Sequence, residues 1–222
     1  MNPKQYIARF REQAFDLGDP PHWTDASLLG YLNEARYEAA RRSRLIEDAS
    51  TAEICKLTLK AGKAIYDIDR RVIFIRRIKI DGEEYPLGKV DLRYADRITP
   101  GWESRGSATP TAWLPWGDYQ IRLIDVPDAD YVANMIVVRE PLAELNLADG
   151  EDEDFPARVQ AKLVDYVKGR ALMEQDKTEK YRPGEAAACM ALFDKEFGPP
   201  SSILNERWIN RRHGYDDLEG LS

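Results

Sequence analysis

The hydrophobic period changes twice along the chain and divides it into three sections. From residue 3 to residue 46 apolar side chains recur every three to four positions, the spacing of helices with one buried face. Ile7, Phe10, Ala14 and Leu17 make the first stripe, and Gly18-Asp19-Pro20-Pro21 breaks it. Thr24 or Asp25 then caps a second helix with the stripe Leu28, Leu32, Ala35 and Ala39, ending near Arg42.

Between residues 52 and 140 the period shortens towards two. Ile54 to Leu59 and Ala64 to Ile68 alternate, and Val72 to Ile80 is rich in β-branched residues. Asp81-Gly82 reads as a hairpin turn. A short helix fits residues 88 to 97. Further strands fit Thr111 to Trp116, Tyr119 to Ile124 (after a turn at Trp116-Gly117-Asp118) and Tyr131 to Arg139. Short connections between strands imply a mainly antiparallel sheet or sandwich.

The helical period returns from Asp154 to Gln175, with Val159, Leu163, Tyr166 and Val167 on one face. Arg182-Pro183-Gly184 separates a last helix carrying Ala186, Met190, Phe193 and Phe197, and Gly198-Pro199-Pro200 stops it. No helix pair buries its stripe alone. The expected fold is therefore α+β: a four-helix bundle built from residues 1–50 and 150–198, an antiparallel β insertion over 51–149, and an extended C-terminal arm over 199–222. Leu32 and Ala35 are expected to face Leu163 and Val167 across the bundle.

Composition narrows the function. At 43% hydrophobic residues the 222-residue chain has enough apolar side chain for a core. The longest apolar runs, such as Met135 to Val138, fall far short of the roughly 20 residues of a membrane span. Met1 to Tyr6 has no signal-peptide core, so cytoplasmic synthesis is expected. Cys55 and Cys189 sit in apolar-patterned segments and read as buried thiols, a single disulfide being the alternative. A net charge of −7 argues against a chain that grips DNA over its whole surface. Arg41, Arg42 and Arg44, then Arg70 and Arg71, then Arg76 and Arg77 form basic clusters, read as solvated element ends or ion-pair partners.

Candidate chemistry is sparse. His22 lies in a Pro-rich turn, and neither it nor His213 has metal-ligand spacing. Gly62-Lys63 lacks the first glycine of a phosphate loop, having Leu57 in that place. No nucleophile elbow and no dinucleotide-binding fingerprint occur. Asp149, Glu151, Asp152, Glu153 and Asp154 lack calcium-loop spacing and read as a solvated loop whose last acids favour the following helix N-terminus. Asp125, Asp128 and Asp130 are turn residues. No catalytic, cofactor-binding or metal-binding residue is assigned. Trp102, Trp113 and Trp116 are either sheet core or a contact surface, and Trp208 in the tail reads as a contact residue.

Several landmarks in order resemble the head-to-tail adaptor (connector) proteins of tailed bacteriophages, including the tubular tail protein A of short-tailed phages. They are His22-Trp23-Thr24-Asp25 leading into Leu28 to Ala35; Gly62 to Ile68 followed by Val72 to Ile80; Trp102-Glu103 and then Ala108 to Trp113; Ile121-Arg122-Leu123, Val126-Pro127-Asp128 and Val138 to Pro141; and Phe155-Pro156. The resemblance spans residues 20 to 198. Pro110-Thr111-Ala112-Trp113 departs from the Pro-x-Tyr pattern, and the tail beyond Gly198 matches no motif. The resemblance implies a non-enzymatic subunit of a ring of twelve copies beneath the portal protein. That ring closes the filled head, offers a surface to the tail tube or nozzle protein, and lets DNA through its lumen without specific recognition. It also implies a virion component at the head–tail junction, assembled in the host bacterial cytoplasm, with no cofactor and no membrane.

The tail itself reads as the portal-docking arm. Ile203, Leu204, Trp208, Ile209 and Tyr215 are too few for a core, and Arg207, Arg211 and Arg212 lie among them. Acidic residues are expected to line the channel more densely than the Arg pairs. Two other readings compete: a DNA-binding or packaging accessory protein using those Arg pairs, and an enzyme with an unrecognised site.

Overall fold

Asn2 starts the first helix by satisfying two orphan backbone groups at once. Its side chain accepts the Gln5 N–H at 2.9 Å, and the Gln5 side chain accepts the Asn2 N–H at 2.9 Å. Pro3, at the first helical position, has no N–H to lose. In the computed structural model, which describes residues 1–98, 100–174 and 181–200, this helix is α1, Pro3–Ala14. It stops one turn before the pattern does. Phe15 is left-handed at φ 53°, and Leu17, expected on the buried stripe, is 73% exposed. Asp16 points inward in its place.

The chain forms two compact units. One joins Met1–Ile46 to Glu140–Pro200, and the other is Glu47–Arg139. The first holds α1, α2 (Asp25–Ser43), α5 (Ala157–Leu172) and α6 (Pro183–Phe197). Thr24 caps α2, accepting the Ser27 N–H at 3.1 Å. Leu28, Leu32, Ala35 and Ala39 all lie in one buried cluster with Phe10, Leu163, Val167 and Phe193. The α5–α6 contact is close: a Cβ on Gly169 would meet Met190 Sδ at 2.7 Å and force that side chain to shift.

Within this core lies a charge that the stripes do not announce. Arg36 on α2 is 2% exposed. Its guanidinium donates to Asp152 from Nε at 3.1 Å and Nη2 at 3.2 Å, to Asp154 at 3.0 Å and to the Ala143 carbonyl at 2.9 Å. Tyr6 of α1 adds a hydroxyl to Asp152 at 3.4 Å. The Asp152 N–H bonds the Met1 carbonyl at 3.0 Å. Burial pushes the Asp152 carboxyl above its ordinary pKa against the pull of Arg36. The acidic run is therefore not uniformly solvated: its middle member closes the helical core. Three residues before Arg36, Asn33 takes the Leu145 N–H at 2.9 Å and gives an N–H to the Leu145 carbonyl at 3.1 Å.

The second unit is built on two sheets. The first centres on β8 (Tyr131–Arg139), flanked by β4 (Val72–Ile80) along one edge and by β1 (Glu47–Asp48) and β2 (Lys56–Leu59) on the other, all antiparallel. A bulge on β4 sets two residues, Arg76 and Arg77, against Ile136. This is why two adjacent arginines both face outward, and a second register shift, between Val72 and Phe74, leaves Ile73 and Phe74 both half-buried. The second sheet runs β3 (Ile65–Asp67), β7 (Gln120–Ile124), β6 (Ala112–Pro115), β5 (Gly88–Lys89), with β5 parallel to β6. Side chains of both sheets, among them Ile75, Ile78, Val137, Trp113 and Leu123, share one core. Leu114 and Ile124 point to the other face of the second sheet and pack with Trp102 and Ala95. Those two residues belong to a 3-10 turn, Trp102–Ser104, and to α4, Leu92–Ile98.

Two expectations change here. Ile54 to Leu59 is not one strand, because Ala52–Cys55 is a helical turn, α3, before β2. Asp81-Gly82 does turn the chain, with Gly82 at φ 85°, but it does not join paired strands. Beyond it the chain gives back the Leu87 N–H to the Ile78 carbonyl at 2.8 Å, and β4 spends its ladder on β8. The reason for the helical turn is Asp48. Its buried carboxylate accepts the N–H groups of Ser50 and Thr51 at 2.9 and 3.0 Å, the Thr51 hydroxyl at 2.6 Å and Arg139 Nε at 2.6 Å. Burial alone raises a carboxyl, but these donors outweigh it and hold Asp48 far below the usual range.

Arg36→Met leaves Asp152 buried without its cation and is expected to cost about 3–5 kcal/mol, read from the urea midpoint of helical signal. Adding Asp152→Asn removes the stranded charge and returns part of that loss, and a double variant as unstable as the single one contradicts the account. For Asp48 the folded chain binds the proton more weakly than the unfolded chain. Its contribution is thus complete above about pH 4 and is lost as pH falls further. Amide exchange along β8 is expected to be faster in Asp48→Asn than in the parent at neutral pH, with the gap narrowing in acid.

Candidate docking surfaces

The loop from Phe15 to Thr24 is fixed by polar groups turned inward. The buried Asp16 carboxylate accepts Arg11 Nη1 at 2.6 Å, the His22 N–H at 2.7 Å and the Trp23 N–H at 3.5 Å. Arg11 Nη2 continues to the Trp23 carbonyl at 3.0 Å and to Asp25 at 2.6 Å. The Trp23 ring packs edge-on against Phe10 at 5.4 Å, with His22 edge-on to it at 4.8 Å. Trp23 Nε1 reaches Glu174, just past α5, at 3.1 Å, and the Tyr31 hydroxyl also donates to Glu174. Burial, then that carboxylate, pushes the Tyr31 phenol up to about 12. The result is a rigid loop whose side chains alternate: Phe15 out, Asp16 in, Leu17 out. Phe15 is 77% exposed. Sequence reading missed this pair because it extended the helical stripe through Leu17.

On the outer face of the second sheet, Arg122 lies between two indoles, 4.7 Å from the Trp102 ring and 4.9 Å from that of Trp116. Trp102 and Trp113 are core residues of two different clusters, and Trp116 is half-buried. This separates two readings that spacing could not.

Cys55 and Cys189 are buried free thiols. Burial raises both, the former to about 11. Among the described residues no cluster of three or more His, Cys, Asp and Glu could hold a metal ion. No helix among them is long and apolar enough to cross a membrane. The arm residues Ile203, Leu204, Arg207, Trp208, Ile209, Arg211, Arg212 and Tyr215, and His213, lie outside the described residues.

The model of the SU10 adaptor protein family matches residues 1–211, so the match takes in both units and runs past Gly198 into the tail. The chain belongs to this family of phage head–tail adaptors. A search of curated proteins found no match. As a phage adaptor the protein is a virion component, and its family implies a structural role in contact with portal and tail components.

Most arginines of its basic clusters have partners within the chain. Arg41 pairs with Glu38 at 2.6 Å, Arg42 with Glu38 and Asp194 at 2.8 and 2.7 Å, Arg71 with Asp69 at 2.8 Å and Arg76 with Glu47 at 2.6 Å. Arg70 stacks over Tyr119 at 5.9 Å. Cations matched within their own chain release fewer counterions from a phosphate backbone.

The adaptor's rigid loop should depend on Asp16. Asp16→Ala removes the acceptor of two amides and one guanidinium and is expected to cost about 1–3 kcal/mol. The His22 and Trp23 amides are expected to exchange faster, and unchanged exchange at both shows that the loop is held by something else.

Proposed function

We propose that the protein is the structural head-to-tail adaptor subunit that forms a ring of twelve copies under the portal, closes the DNA-filled head and provides the attachment site for the tail tube or nozzle. The observation that carries this reading is family membership over residues 1–211. In it, the four helices work as one bundle, the sheet unit is its inserted domain, and residues 199–222 are the arm that docks on the portal. The apolar and aromatic residues of the arm, with charges around them, suit a segment that orders on a partner. DNA passes through the lumen without base recognition. The net charge of −7 and the internally paired arginines favour a wall that repels phosphate over one that holds it.

The test is electron microscopy and co-sedimentation of the purified chain with its portal. Removal of residues 201–222 is expected to leave the stability of both units nearly unchanged and to abolish attachment. Trp208→Ala alone is expected to weaken it by about 2 kcal/mol. Normal portal binding by the shortened chain moves the dock to the helices.

A further inference from the structure

The two exposed residues at the end of α1 and the outward face of α6 have the placement of two halves of one contact. In the helical unit, α1 and α6 each pack on both α2 and α5 and scarcely touch each other. They therefore lie on opposite flanks of the α2–α5 pair. They also meet the same end of the unit. The loop after α1 is tied through Trp23 to Glu174, past the end of α5, and the Arg182 N–H, at the start of α6, bonds the Leu172 carbonyl of α5 at 3.1 Å. A rotation about an axis running along the helices thus carries the loop of one copy to the first turns of α6 of the next, at the same level.

The surfaces are matched in shape and character. Phe15 and Leu17 are 77% and 73% exposed on a loop that Asp16 locks from beneath, so they stand as two large prongs with little conformational freedom left to lose. Phe15 also holds a left-handed backbone conformation, uncommon for an aromatic residue. Such strain is kept where the surroundings over-determine it. On α6 the buried face is made by Ala186, Cys189, Phe193 and Phe197. The opposite face is apolar as well: Ala187, Ala188, Ala191 and Leu192 are exposed, Leu192 at 49%. A helix apolar on both faces is one with a second neighbour, and three alanines in it leave a shallow bed for large side chains. Charge is opposite in part: Glu12 and Asp19 are exposed beside the prongs, while Arg182, which also pairs with Glu185, and Lys195, next to exposed Glu196, mark the two ends of the α6 face.

We propose that the Phe15–Leu17 loop of one copy seats on the Ala187–Leu192 face of α6 of a second copy, making the head-to-tail contact between neighbours. Two different patches on opposite flanks form a heterologous interface, which propagates from copy to copy and closes when the rotation divides the circle. The inference rests on the ring reading above and names the surface that makes the ring.

The test uses two full-length variants, both altered only at exposed positions: a loop variant, Phe15→Asp with Leu17→Asp, and a face variant, Ala188→Glu with Leu192→Glu. Assembly is followed by analytical ultracentrifugation over a concentration series, with folding checked by circular dichroism. Each variant alone is expected to need at least about tenfold more protein than the parent for half-assembly. An equimolar mixture of the two is expected to give a 1:1 dimer and nothing larger, because the intact loop of one can meet only the intact face of the other. Variants that are folded and assemble like the parent overturn the assignment and leave the ring reading standing. A parent chain that stays monomeric both alone and with its portal overturns the ring reading and this contact with it. A mixture that forms no dimer overturns the pairing of these two surfaces.

Discussion

The helical unit depends on one buried ion pair. Its two halves come from stretches separated by the whole sheet unit, and hydrophobic stripes alone do not decide how the returning chain meets the departing one. Arg36 does. Its guanidinium collects Asp152, Asp154 and the Ala143 carbonyl, while Asn33 on the same helix takes both backbone groups of Leu145. An apolar pair of the same volume would cost less to bury. It would not have the directionality to hold a segment of irregular backbone in register. The N-terminus joins the same knot, through the Met1 carbonyl and the Tyr6 hydroxyl.

Long elements with a clean period were legible in the sequence. Val72–Ile80 and Tyr131–Arg139 follow from β-branched runs, and the stripe from Leu28 to Ala39 follows from its spacing. The presence of helices and largely antiparallel sheets followed too. The short elements were not legible, because tertiary bonds make them. β1 and α3 exist because Asp48 gathers Ser50, Thr51 and Arg139, and Arg139 lies far along the chain. The turn at Asp81-Gly82 is real, but a turn signal says nothing about which strand wins the ladder. Periodicity also has no means of marking Arg36, since a buried cation looks like a solvated one until its carboxylate is placed. Phe15 and Leu17 were hidden for the opposite reason. Leu17 continues a stripe whose helix had already ended, and Phe15 lies off that stripe.

The family match points to a protein whose work lies in its surfaces. Rigidity matters for such a protein as much as affinity. A loop braced by Asp16 and Arg11, a helix pair brought close by Gly169 and a sheet pair sharing Trp113 all limit how far a contact surface can drift from its mean position. The arginines serve this end as well. Arg42 joins Glu38 to Asp194 and lies over Phe193, 5.2 Å from its centroid, tying α2 to α6.

The split helical unit also sets an order of events during synthesis. Residues 47–139 are contiguous and share their own core, so that core can form once Arg139 has left the ribosome. The helices before it are made first, yet most of their apolar surface has no partner until α5 and α6 emerge. For that interval Phe10, Leu28 and Leu32 remain open to water, and to other nascent chains. The folded sheet unit shortens that wait: β1 pairs with the end of β8, so residues 46 and 140 are held close together, and the last helices meet the first across a short connection instead of an open loop of about a hundred residues.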